Sequence, residues 1–211
     1  MKFATVVLLG ILLLGSYAPL NAQPAGTSQV VLAFTGGSVY TSDTTGICMW
    51  YPVLVGDLPL QLLFSAPLFQ PPVVDKEHAY FIWVSEFSSQ VLPSNKNFNY
   101  LALVLEGEGT IYFTTRPDLR DWSDWTKRDT WGEPVAKFVR KAGLFLSADG
   151  GMTGGMTNTA QLVSSHTFAI FGKSFNFADL IPHGMTCFET GVGDENGEAE
   201  AGTCTAIGGT P

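Results

Sequence analysis

The chain has 211 residues, 45% apolar and only 14% charged, a composition that excludes disorder over most of its length. Its formal charge of −8 opposes phosphate backbones and anionic membrane surfaces. Nucleic acid is therefore not an expected partner.

The N-terminus carries one cation, Lys2, then an apolar run from Val6 to Leu14, then small and polar residues around Ala22. That order predicts a signal peptide over residues 1–22, cleaved before Gln23, and a secreted or periplasmic, bacterial location. Removing Lys2 would take the charge from −8 to −9. The apolar run falls short of the roughly 20 residues a membrane helix needs, so no transmembrane segment is expected in the mature chain.

After the signal, short β-branched and aromatic runs alternate with Gly, Pro and Asp, which predicts strands rather than helices. SQVVLAF and ICMWYPVLVG are the first, followed by prolines from Pro52 to Pro72 that favour edges and loops. AYFIWVSEF (79–87) and AKFVRKAGLFLS (136–147) read as core strands, and YLALVLEGEGTIYFTT (100–115) as a hairpin turning at Glu106 to Gly109. HTFAIFGKSFNF (166–177) reads as a hairpin with a Gly172-Lys173 turn, placing Phe168, Ile170, Phe175 and Phe177 on one face. The expected fold class is all-β: a single-domain antiparallel β-sandwich, jelly-roll-like, over residues 23–183, with a flattened β-barrel as the alternative. Residues 184–211 read as a Gly-rich, acidic, loosely ordered C-terminal segment.

Cys187 and Cys204 are expected to form a disulfide, whose loop closure stabilises by roughly 3 kcal/mol, leaving Cys48 as a buried thiol. DENGEAE (194–200) alternates oxygen ligands but departs from the EF-hand pattern at Ala199 and Thr205, and His78, Glu77, Glu86 and His183 have no metal-ligand spacing. No motif implies a metal, a cofactor or a nucleophile elbow, so no catalytic residue is assigned.

The segment DLRDWSDWTKRDTW (118–131) holds three of the five tryptophans. Asp118 or Asp121 is expected to cap a short helix that packs Trp122 and Trp125 on one face, with Trp131 the better exposed ring. As a ligand site, Trp122, Trp125 and Trp131 would stack on sugar rings while Arg120 and Asp121 bond hydroxyls. The corresponding functional expectation is a non-catalytic binding or envelope-associated accessory protein, its partner a glycan or cell-envelope component. A small glycoside hydrolase or lyase using Asp121, Asp124 or Glu86, and a self-associating surface protein, are the alternatives.

In SADGGMT, residues Ser147, Asp149, Gly151 and Thr153 match a short pattern that Gly154 leaves without its closing aromatic. It resembles the Asp-box of sialidases and other secreted β-propeller proteins, and PDLRDW (117–122) looks like the Asp-Leu-x-x-Trp turns of propeller glycosidases. The resemblance implies a structural hairpin at 147–153 and brings no catalytic residue. The chain is short for a complete propeller.

Overall fold

The computed structural model describes residues 30–42, 45–54, 79–91, 100–121, 127–148, 153–194 and 197–207. The expected signal peptide (residues 1–22), Trp122, Trp125, Asp124, Asp149, Gly151, His78 and Glu77 lie outside them. The strands are β1 (Val30–Tyr40), β2 (Thr45–Leu54), β3 (Phe81–Val91), β4 (Tyr100–Glu106), β5 (Glu108–Phe113), β6 (Glu133–Ala148), β7 (Thr153–Ser165), β8 (Phe168–Ile170), β9 (Lys173–Phe175), β10 (Met185–Asp194) and β11 (Gly197–Ala206). One short helix, α1 (Phe177–Leu180), follows β9.

The protein is all-β, and its strands close into an eight-stranded antiparallel barrel. Going round, β1 pairs with β2, β2 with β3, β3 and β6 both with β4 and β5, β6 with β7, β7 with β10, β10 with β11, and β11 with β1. The sandwich expectation gives way to the barrel alternative. Closure between β1 and β11 leaves no open sheet edge, which removes the unpaired backbone that two separate sheets would expose. Among the described residues no propeller blade is formed.

Three local expectations are corrected. Residues 100–113 do not turn back on themselves: β4 and β5 run on in one direction between β3 and β6, with Gly107 at the junction. A Cβ on Gly107 would lie 2.2 Å from the Glu86 carbonyl oxygen, so this glycine serves close strand approach and not a hairpin turn. Residues 184–211 are likewise no loose tail, since 185–206 supply the two barrel strands β10 and β11. Their alternation was hidden because the inward positions mix cysteine, glutamate and glycine.

The hairpin at 166–177 forms with its turn at Phe171-Gly172, φ 50° and 77°, instead of Gly172-Lys173. Phe168 opposes Phe175 and Ile170 opposes Lys173, a two-residue shift that leaves every side chain on its expected face. Phe168, Ile170, Phe175 and Phe177 are all buried together.

Inside and outside alternate along each strand. Phe34 of β1 meets Trp83 of β3 edge-on at 6.0 Å, and Trp83 lies 6.1 Å from Phe138 of β6, so these rings fill the lumen. At one end β8, β9 and α1 plug the barrel, with Phe168 at 5.5 Å from Phe81 and Phe177 at 6.3 Å from Phe138. Between β10 and β11, directly opposed Cys187 and Cys204 form the expected disulfide, and Cys48 is buried on β2 outside it. Among the described residues no helix is long and apolar enough to cross a membrane.

Candidate functional site

Towards the other end the lumen turns polar. Among the described residues seven polar or charged ones are buried, and six of them, Ser38, Ser85, Arg140, Asn158, Glu189 and Glu200, occupy inward positions of the strands. Burying such groups costs free energy unless they are bonded, so a whole layer of them marks a place where packing was not the sole demand.

Arg140 shows how the layer is built. It follows Phe138 on the inner face of β6, where its guanidinium donates from Nη2 to Ser85 Oγ at 3.3 Å and from Nη1 to Met156 Sδ at 3.7 Å. Its Cζ lies 5.8 Å from the centre of the Phe87 ring. A guanidinium has five N–H donors, and a distant hydroxyl and a thioether are weak use of them. Among the described residues no carboxylate pairs with Arg140. The amide Nδ2 of Asn158, on the inner face of β7, has no hydrogen-bond partner among the described residues.

Arg140 is one of the residues lining a cleft of about 700 Å3, the size of ordinary small-ligand sites. Irregular strands create it. The β3 register slips between Ser88 and Ser89, the β6 register slips between Arg140 and Ala142, and Gly107 separates β4 from β5 at the same level. Bulges re-aim side chains and part the wall locally. Glu86, Glu106 and Glu108 border the cleft, with Thr41 and Thr45 on the β1–β2 turn. Thr45 is fixed there by hydroxyl bonds to Thr41 at 2.8 Å and to Ser42 at 2.7 Å. Glu86 pairs with Arg128 at 2.9 Å and Glu108 with Lys137 at 2.6 Å.

A scan against protein-family models and searches of curated proteins and solved structures find no match to this chain.

The residues singled out from the sequence fare differently. Trp131, expected to be the exposed ring, is 2% exposed, edge-on to Tyr112 at 5.5 Å and packed with Ile82 and Val84 on the outer wall. Gly132, at φ 105°, explains the difference: its missing Cβ lets the chain press against the Phe113 carbonyl and draws the preceding indole in. Arg120 is buried as well, donating to the backbone carbonyls of Ala79, Tyr80 (2.9 Å) and Trp131 (3.1 Å). Asp118 does not cap a helix; it pairs with Arg116 at 2.7 Å beside the 3-10 turn Pro117–Leu119. Asp121 is half-buried and accepts from Lys127. Among the described residues no His, Cys, Asp and Glu set could hold a metal ion.

Sequence reading missed Arg140, Phe87, Glu189 and Glu200. A signal was there: Arg140 shares parity with Phe138, Glu189 with Cys187 and Glu200 with Cys204. Charges in step with core residues on a strand point inward.

Proposed function

We propose that this is a secreted or periplasmic, non-catalytic binding protein that holds a small glycan in the rim cleft, with Arg140 as its principal donor. The observation carrying this reading is the buried Arg140, which lines the cleft and pairs with no carboxylate among the described residues. A sugar hydroxyl or carboxylate oxygen would complete its hydrogen bonding, and such charge-assisted bonds are about twice as strong as neutral ones. Glu106 and Thr45 would accept from neighbouring hydroxyls, while Phe87 supplies the apolar contact such sites use. The ligand class is thus kept from the sequence reading and its place moves from the tryptophan segment to the barrel rim.

Binding without turnover is favoured over glycoside hydrolysis by the setting of the rim acids. The side chains of Glu86 and Glu108 are 61% and 62% exposed and are engaged by Arg128 and Lys137, not desolvated as a general acid requires. Secretion is supported by the disulfide, a bond that persists in oxidising compartments.

Titration calorimetry against neutral and uronic-acid oligosaccharides tests the proposal. Binding by the wild type that Arg140→Met abolishes and Glu106→Gln weakens is the expected result. No binding across the panel, or binding that survives Arg140→Met, overturns it.

A further inference from the structure

Charge is arranged unevenly around the rim cleft. Among the described residues its one lining cation, Arg140, is buried, whereas its three carboxylates, Glu86, Glu106 and Glu108, are exposed. Two of the three are matched from outside the cleft, Glu86 by Arg128 at 2.9 Å and Glu108 by Lys137 at 2.6 Å. Glu106 is not: among the described residues it forms no ion pair, and neither does Arg140. The backbone sets these two side by side. β4 ends at Glu106, and the Arg140 N–H donates to the carbonyl of Gly107, the next residue, at 2.8 Å. The cleft therefore has one uncompensated charge of each sign, the positive one buried and the negative one at the surface.

We infer that the ligand of this cleft is zwitterionic: one unit carries both a carboxylate, held by Arg140, and a free amine, held by Glu106. The inference rests on the rim cleft being the binding site. Arg140 has only donors to offer, so it needs an acceptor. A ligand with a carboxylate alone has to approach three acidic side chains on a chain of formal charge −8, and like charges slow association and weaken binding. A ligand with an amine alone would bring its ammonium to Glu106 and leave the buried guanidinium without an acceptor, which is the costlier omission. With both groups in one unit, each uncompensated charge meets its opposite. The two contacts differ in weight. A carboxylate on a buried guanidinium gives affinity, whereas an ammonium on an exposed carboxylate adds about fivefold at most. The amine therefore sets selectivity. Among glycans the unit with this pair of groups is an amino-uronic acid, and an α-amino acid carries the same pair in a smaller frame.

The test is titration calorimetry at low and physiological salt with oligosaccharides of uronic acid, of amino-uronic acid and of its N-acetylated form, and with free alanine as a separate arm. N-acetylation removes the ligand's positive charge and keeps the sugar. The free-amine form should bind about fivefold more tightly than the acetylated one at low salt, with the gap narrowing as salt rises and closing in Glu106→Gln. In the wild type the gap should also close as pH rises through the pKa of the ligand amine, a readout that needs no variant. Equal binding of the free and acetylated forms, or a gap that persists in Glu106→Gln, overturns the inference while leaving Arg140-dependent glycan binding in place. Alanine binding that both Arg140→Met and Glu106→Gln abolish, with no sugar bound, upholds the charge pair and overturns the glycan. No binding in any arm overturns both.

Discussion

Two buried arginines, 20 residues apart, are used in opposite ways. Arg120, at the 3-10 turn outside the barrel, spends its guanidinium on the carbonyls of Ala79, Tyr80 and Trp131, tying the outer segment to the start of β3. Arg140, inside the lumen, reaches a serine hydroxyl, a thioether sulfur and a ring face. Both are about equally buried, at 5% exposure, so burial does not separate them. Satisfaction does: a guanidinium bonded to three backbone carbonyls is a structural clasp, whereas one left with a distant hydroxyl and a thioether keeps donors to spare.

The largest expected effect belongs to Arg120→Met. Three carbonyls lose a charged donor, and unfolding in urea should show a loss of about 3 kcal/mol. Arg140→Met should behave differently, because an apolar side chain of similar length replaces a poorly satisfied buried charge. Its stability should stay within about 1 kcal/mol of wild type while glycan binding disappears. Equal stability losses in the two variants would erase the distinction between them.

Glu106→Gln sharpens the contrast at the rim. An exposed residue substituted this way should move stability by no more than about 0.5 kcal/mol, with affinity reduced about tenfold by loss of a charged acceptor.

The smallest effect is expected at Arg116 and Asp118. Hydrogen bonding between them, and then their Coulombic attraction, raises Arg116 above its ordinary value, and the Arg116 hydrogen bond, followed by burial working against it, holds Asp118 below the usual carboxylate range. A depressed carboxylate favours the fold above its unfolded pKa and loses that contribution as pH falls through the folded value. The pair lies at the surface, its side chains 63% and 45% exposed, so Asp118→Asn should leave the urea midpoint unchanged at physiological salt and affect only its acid limb at low salt.

Strands β1 to β6, β8 and β9 were legible in the sequence, as was the Cys187–Cys204 bond, because alternation and paired cysteines are local signals; β7, β10 and β11 were not. Barrel closure was not. It depends on β1 meeting β11 across some 170 residues, and β11 reads as a polar tail since its inward positions carry Glu200, Gly202 and Cys204. The tryptophan segment misled for a related reason: Trp131 is drawn inward by a glycine fitting against Phe113, a tertiary contact that no spacing within the segment reveals. Arg140 was readable by parity with Phe138, but a lone cation in a core strand has no meaning until the wall around it is seen to part.

The central claim, that Arg140 and not the tryptophan segment meets the ligand, is tested most directly by the arginine Nε–H resonances of labelled protein titrated with an acidic oligosaccharide. The Arg140 signal should shift while that of Arg120 stays fixed. Shifts confined to tryptophan indole N–H signals, with both arginines unmoved, would contradict it.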